Sequence, residues 1–446
     1  MPPVQPTVVV GGGISGLALA LSLHREGVPV TVLEAAETPG GTARTVERDG
    51  FLLETGPNSV LDRDGAVAAL ASSLGLLLRP ASESARLRAV VLGGRLRTLP
   101  STPPGWLASD VLPWRAKARL LLEPFSRRGP LGVDESLGDF ARRHLGRTVT
   151  STLVDALQTG IWAGDIERLS AASAFPRMVA LERAHRSLLL GALRSRQSKG
   201  AGRVVPRSAS LQGGLGALSL AAAGALGERV RLGTKATALE QNANGWTIVT
   251  PRGPVAAARV VLALPPADAS SLVRPFDAGL AEGLASFASV AVAVVHLGFR
   301  PVLEAEPEGF GFLVPTNERR DILGCIYASS LFPFRAPGGG TLLTVLLGGA
   351  HRGELLAKED PELVELARRE LVSLLNVRQV PTLTHVFRWP RAIPQYNVGH
   401  ARQLEAVLAQ AARWPGLWLS GNAYGGASVA DCIRSASEMS RQLRAG

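Results

Sequence analysis

Six residues near the N-terminus, Gly11, Gly12, Gly13, Ile14, Ser15 and Gly16, carry the most specific chemistry in the chain. They form a G-x-G-x-x-G turn between a β-branched run, Thr7-Val8-Val9-Val10, and an apolar, helix-like stretch from Ile14 to Leu23. In such a turn Gly11 permits the tight bend, Gly13 lets a pyrophosphate approach the backbone, and Gly16 lets the helix pack on the strand. The helix N-terminus then faces the phosphates. A second β-branched strand, Val28 to Leu33, ends at Glu34, which lies 18 residues after Gly16. That is close to the roughly 20 at which an acid accepts the ribose hydroxyls. Strand, helix, second strand and acid together predict a βαβ unit that binds a dinucleotide.

Which dinucleotide binds is decided by the residues after Glu34, because a flavin needs additional backbone around its ribityl chain and ring. Pro39-Gly40-Gly41-Thr42-Ala43-Arg44 lies directly beyond that acid. A glycine pair can be a plain turn, but this one resembles the G-G-x-x-R/S extension of amine-oxidase-like flavoproteins. That resemblance implies FAD, lined by Gly40, Gly41, Thr42 and Arg44. Glu54-Thr55-Gly56-Pro57-Asn58-Ser59 offers further backbone N–H groups in a rigid turn. Near the C-terminus, Gly421-Asn422-Ala423-Tyr424-Gly425-Gly426-Ala427-Ser428-Val429 leads from an apolar strand through glycines into a helix. A helix N-terminus beside a flavin would stabilise negative charge on the reduced ring.

A longer series narrows the reading: Gly56-Pro-Asn-Ser59, Thr159-Gly-Ile-Trp-Ala-Gly164-Asp165, Gln212-Gly-Gly-Leu215, Tyr327-Ala-Ser-Ser-Leu-Phe-Pro333, Phe387-Arg-Trp-Pro390, Ile393-Pro-Gln-Tyr396 and Gly421 to Cys432. In this order, and spanning nearly the whole chain, it resembles the oxygen-dependent protoporphyrinogen oxidase family. The resemblance implies an α/β fold: a Rossmann-type FAD-binding domain (1–85 with 208–270 and 385–446), a mixed-sheet substrate domain (86–100 with 271–384) and a helical, basic, membrane-facing domain (101–207). It adds Ala35, Ala236 and Trp389 to the cofactor residues. The implied activity is oxidation of a porphyrinogen to the porphyrin by noncovalent FAD, with O2 as electron acceptor and H2O2 as product. Aromatisation drives such a reaction, so positioning and the cofactor suffice. No catalytic side chain is expected, in keeping with the lack of a metal-spaced His/Cys cluster, of paired carboxylates and of G-x-S-x-G.

For the substrate, the resemblance places Arg88 at the propionates and Gly164, Leu313, Ile326 and Leu346 along the walls of an apolar slot. Arg86 is close enough to be an alternative anchor, Arg88 could be a solvated strand charge, and the apolar residues could be plain core. Protoporphyrinogen IX and coproporphyrinogen III both fit this pattern. A flavin amine oxidase is a rival, but its family's flavin-side lysine has no counterpart between Lys235 and Lys358, and Tyr327, Tyr396 and Tyr424 supply an aromatic cage poorly. A carotenoid-type desaturase or a redox-silent flavoprotein would need no cation at the slot mouth.

These residues must be held by a large framework. A chain of 446 residues exceeds the roughly 250 to 300 at which single cores stop growing, and 46% apolar residues suit packed domains. Gly93-Gly94 is the two-residue turn of a hairpin around 86–99. Leu- and Arg-rich helical sequence continues to about Arg196, and Gln197 to Arg207 reads as a loop. Strands are expected at Val230 to Leu239, Gly245 to Val249 and Val260 to Leu264, rejoining the first domain. A second sheet is expected from Val290 to Phe299 and Leu342 to Leu347, then a strand at Leu417 to Gly421 and a helix from Asp431 to Leu443.

The net charge of +11 is uneven: Arg86 to Arg128 holds nine basic residues against Asp110 and Glu123, and Arg177 to Arg207 holds eight against Glu182. With Trp106 and Trp114 beside it, the first stretch suits a bilayer interface better than nucleic acid. A solvated Arg-rich helix pair satisfies the same pattern. Two cysteines, no secretory pattern at the N-terminus and no bilayer-length apolar run predict a cytoplasmic protein, peripheral on the cytoplasmic membrane face. Oligomeric assembly is left open.

Overall fold

The strand Thr7–Val10 is buried along its whole length, as a Thr/Val run must be when both faces of a parallel sheet are covered. In the computed structural model, which describes residues 6–126, 129, 132–197 and 208–445, this strand is central to five parallel strands. Their order is Val230–Arg231, Val30–Leu33, Thr7–Val10, Arg259–Leu262 and Leu417–Leu419. Helix Ile14–Arg25 buries nine of its twelve residues because it lies between this sheet, helix Gly216–Leu226 and the closing helix Val429–Ala445. The chain leaves Thr7–Val10 toward one side of the sheet and later fills the other. The crevice at the carboxyl ends of Thr7–Val10 and Arg259–Leu262 is therefore the switch point at which open α/β sheets take ligands.

A seven-stranded mixed sheet forms the second layer system. Its order is Leu383–Pro394, Ser289–Phe299, Thr341–Gly348, Ile322–Tyr327, Gly311–Leu313, Arg88–Leu92 and Arg95–Thr98. All neighbours are antiparallel except Gly311–Leu313 with Arg88–Leu92. Side chains alternate between faces along each strand. One face, with Val295, Leu297, Cys325, Tyr327, Leu343 and Val345, packs under helix Asp360–Leu375. The other carries Val294, His296, Thr344, Leu346, Ile326, Leu313, Phe387 and Arg88, by direct cross-strand register. The described residues between 103 and 197 are mostly helical, and the helix ending at Trp162 contains a π-helical turn, Thr150–Val154.

The register corrects several expectations. Val230 to Leu239 is not one strand: Gly233 adopts φ 58°, and Gly233 and Thr234 donate to the carbonyls of Ala36 and Glu34. The chain is thereby turned out of the sheet after two paired residues. Gly245–Val249 is not a strand of the parallel sheet itself: it pairs with Ala238–Asn242 and Val255–Ala257 in a separate sheet that packs on Val8, Val10 and Val260 of the parallel one. Leu383–Pro394 pairs with Ser289–Phe299 up to Pro394, so the chain returns to the dinucleotide-binding layer after 394 rather than at 385. The final helix begins at Val429, not Asp431, because Ser428 caps it. Most of the loop expected at 197–207 lies outside the described residues, as do Arg127 and Arg128 of the basic stretch.

Candidate active site

At the switch point the glycine turn is built as its spacing implied. A Cβ on Gly16 would stand 2.1 Å from the Gly11 carbonyl oxygen, whereas one on Gly13 would meet nothing within 4 Å. Gly16 is therefore required by packing, and Gly13 faces open space. The Glu34 carboxylate accepts the amides of Gly12 (2.6 Å) and Ala36 (2.8 Å), which fixes it at the end of the second strand beside the turn. Ala35 is exposed there.

The Gly40-Gly41 segment folds back onto this turn. Gly40 N–H donates to the Gly12 carbonyl at 2.8 Å, and both glycines take positive φ, 115° and 59°. Thr55 ties the next segment on, its N–H to the Arg44 carbonyl and its hydroxyl to the Thr42 carbonyl, both at 2.9 Å. Trp389, from the mixed sheet, donates its indole N–H to the Thr55 carbonyl at 2.6 Å, and the Arg44 guanidinium lies 5.8 Å from its ring centroid. At the other side, Tyr396 OH donates to the Asn422 carbonyl (2.7 Å) and accepts Gly426 N–H (3.0 Å). Ser15, Gly56, Pro57, Ser59, Gly421 and Ala427 lie on these same segments, while Ala236 packs on the cluster that includes Leu33, Leu239 and Trp246.

Two expected roles are altered by the geometry. Asn58 is buried, with its side-chain and backbone oxygens both taken by Arg335, so it shapes the turn from behind. Ser428 N–H and Oγ–H both donate to Asp431 (3.3 and 2.6 Å), and Asp431 in turn pairs with Arg434. This helix end thus carries its own anion, and its field is partly spent before any ligand arrives.

The residues fit a dinucleotide of the flavin class. Open space at Gly13, the two left-handed glycines and the Arg44 Nε, buried without a hydrogen-bond partner, define a cradle that lacks an acceptor. Gly11 to Gly16, Glu34, Gly40 to Arg44 and Gly421 to Val429 would hold such a group, and Trp389 would stand at its substrate side.

From Trp389 the inner face of the mixed sheet runs toward Arg88. Leu346 packs with Ala163, Val292 and Ile393. Leu313 is met by helix Asp155–Trp162, where a Cβ on Gly160 would come 2.8 Å from Leu313 Cδ2. Ile326 packs near Phe310 and Phe332, and the Arg88 guanidinium sits 4.9 Å from the Phe310 centroid at the exposed end. Arg86 is engaged with Glu83 on the surface. The helix leaves Leu157 and Ile161 exposed. Gly164 has no room for a side chain, because a Cβ would lie 2.4 Å from Gln395 Oε1. Its amide and carbonyl are both held by Gln158 (3.1 and 2.9 Å), so it contributes backbone only. From the strand of Leu346 to that of Arg88 is three strand spacings, roughly 14 Å.

Sequence reasoning missed the polar residues that lock these layers together. His296 lies fully buried on the inner face, its Nε2 2.9 Å from the Glu54 carbonyl and its Nδ1 3.1 Å from the Thr344 hydroxyl. Burial pushes its pKa down to about 4, so it is a neutral ring that donates to Glu54. Asp155 accepts Thr316 N–H at 2.6 Å, and Arg335 pairs with Glu54 at 2.9 Å with both side chains buried. A glutamate closing the apolar strand Phe51–Glu54 was the one legible hint of a buried cation.

The sheet order and the cradle define a flavin-type oxidoreductase, and the chain belongs to the family described as flavin containing amine oxidoreductase, whose pattern matches residues 14–444. Among its relatives, the chloroplastic protoporphyrinogen oxidase of Oryza sativa subsp. japonica is 36% identical over 98% of this chain and 87% of that one. The coproporphyrinogen III oxidase of Bacillus subtilis (strain 168) is 30% identical over 96% of this chain and 95% of its own. A solved structure from Exiguobacterium sp. 255-15, provisionally assigned as a protoporphyrinogen oxidase, superposes with a TM-score of 0.87 at 28% identity, covering 99% of both chains.

Proposed function

We propose that this enzyme oxidises a porphyrinogen, protoporphyrinogen IX in the first instance, to the porphyrin of haem biosynthesis. O2 takes the electrons and leaves as H2O2. The carrying observation is the sheet face that sets Trp389, Leu346, Leu313 and Ile326 in a row leading to the cation Arg88. A flat apolar ligand with acid groups on its edge matches such a slot. FAD bound in the cradle would supply the two-electron acceptor. The chain's own part is to hold the macrocycle against Leu313 and the exposed Leu157 and Ile161 beside it, to exclude water, and to anchor a propionate at Arg88.

The FAD is held noncovalently in this reading. No cysteine occurs between Trp389 and His400, Cys325 lies on the far face of the mixed sheet, and the Cys432 thiol donates to the Gly426 carbonyl, with burial pushing its pKa up to about 11. Acid precipitation should leave the yellow colour in the supernatant; colour retained in the pellet would refute this. Aerobic assay of protoporphyrinogen IX and coproporphyrinogen III, read by porphyrin fluorescence and peroxide release, tests the activity itself. Turnover of neither would overturn it. The rice and Bacillus relatives name different porphyrinogens, so the same assay distinguishes the two substrates.

A further inference from the structure

We propose that Arg335 is a positioning residue for the cofactor-facing turn 54–59, acting through Glu54 and Asn58 rather than by touching cofactor or substrate. Its relevance to flavin binding rests on the function proposed above. The guanidinium is fully buried and lies over the Phe332 ring, 4.5 Å from its centroid. It donates to Glu54 Oε1 at 2.9 Å, to Ser210 Oγ at 3.0 Å, and to both the side-chain and the backbone oxygen of Asn58. Glu54 is itself held by Leu215 N–H (2.8 Å) and by the Thr45 hydroxyl (2.7 Å), and that hydroxyl accepts Gly216 N–H (2.9 Å).

One side chain thus gathers the residue that follows Arg44, the turn after Glu54, the strand Ser208–Leu211 with the start of helix Gly216–Leu226, and the segment behind strand Ile322–Tyr327. The same turn is also gripped by Trp389 through Thr55 and by His296 through Glu54. Both grips come from the mixed sheet. A buried ion pair is a poor source of stability, since well-packed apolar replacements are often neutral or better. What the planar fork does supply is a fixed geometry for two oxygens of one residue. That residue is Asn58, in the middle of the turn beside Gly56, Pro57 and Ser59.

The test compares the parent, Arg335→Lys and the double variant Glu54→Gln/Arg335→Met. The double variant removes both charges together and avoids a lone buried carboxylate. Thermal melting, FAD release rate and amide hydrogen exchange of Gly56, Asn58 and Ser59 in the cofactor-free chain are measured for each. We expect the double variant to melt with the parent, yet both variants to release FAD roughly tenfold faster, about the effect of one lost hydrogen bond. Amide exchange in the turn should quicken to a similar degree. A double variant with parental melting, release and exchange would overturn the assignment, and so would full rescue by lysine. The exchange comparison needs no flavin, so failure of the parent to take up FAD would count against the function alone, while quickened exchange would still uphold the placing of the turn.

Discussion

Arg88 and His296 stand on the same face of one sheet and illustrate what a single side chain can contribute there. At the exposed end, Arg88 is free to form a charge-assisted pair with a carboxylate, a contact whose loss costs about 1.5 to 3 kcal/mol, or roughly 10- to 150-fold. Arg88→Ala should lose that factor in kcat/KM, chiefly through KM, with an unchanged flavin spectrum. Esterified porphyrinogen should narrow the gap between variant and parent; an unaltered ratio of free acid to ester would shift the anchor to another arginine. His296 is the opposite case. Its pKa falls from 6.5 to about 4 on folding because burial disfavours the charged ring, so the unfolded chain takes up the proton first. Its contribution to stability is complete above pH 6.5 and is lost as the pH falls toward 4. His296→Gln keeps a donor for the Glu54 carbonyl and removes the titration. Between pH 7 and 5 the parent should therefore lose about 2 kcal/mol more than this variant in urea unfolding. Parallel pH curves for the two proteins would show that His296 is not the group responsible.

At the scale of elements, the strand–turn–helix unit separates what glycine does for packing from what it does for binding. Gly16→Ala sets a methyl group against the Gly11 carbonyl and should weaken the fold itself. Gly13→Ala meets no protein atom, so its circular dichroism and melting should match the parent while flavin occupancy falls. Retained flavin in Gly13→Ala would show that the phosphates approach elsewhere. This unit was legible because each of its residue types answers a local backbone demand within a short stretch of chain. The hairpin at Gly93-Gly94 was legible for the same reason, and Leu92 and Arg95 do pair across it. Strand Leu383–Pro394 was hidden because Pro390 and Pro394 argue against a long strand, and pairing with Ser289–Phe299 overrode that local signal. Arg335 and Asp155 were hidden for a different reason. Their partners lie 281 and 161 residues away, and nothing in a local pattern separates a buried arginine from a solvated one.

Across the whole molecule, the helical region presents an apolar patch. Phe125 is 84% exposed and Trp114 72%, and Leu107, Leu121 and Leu122 are exposed with them. No helix among the described residues is long and apolar enough to cross a membrane; from the exposed side chains themselves, we propose that this patch rests on a membrane surface. Some nearby charge is spent internally: Lys117 donates to the carbonyls of Leu107 and Ser109, and Arg119 to that of Arg143. Insertion of apolar side chains should then outweigh charge. Replacing Trp114 and Phe125 by serine should abolish flotation with anionic vesicles, whereas added salt should only reduce it; equal flotation of variant and parent would exclude the patch. The order of the parallel sheet also bears on how the molecule comes into being. Its strand Thr7–Val10 is central, yet the strand Leu417–Leu419 on the same sheet and the Gly421–Val429 wall come from the far end of the sequence. The cradle therefore closes only when segments far apart in the sequence have met, and a polypeptide without 417–429, however well its mixed sheet has formed, lacks one wall of it.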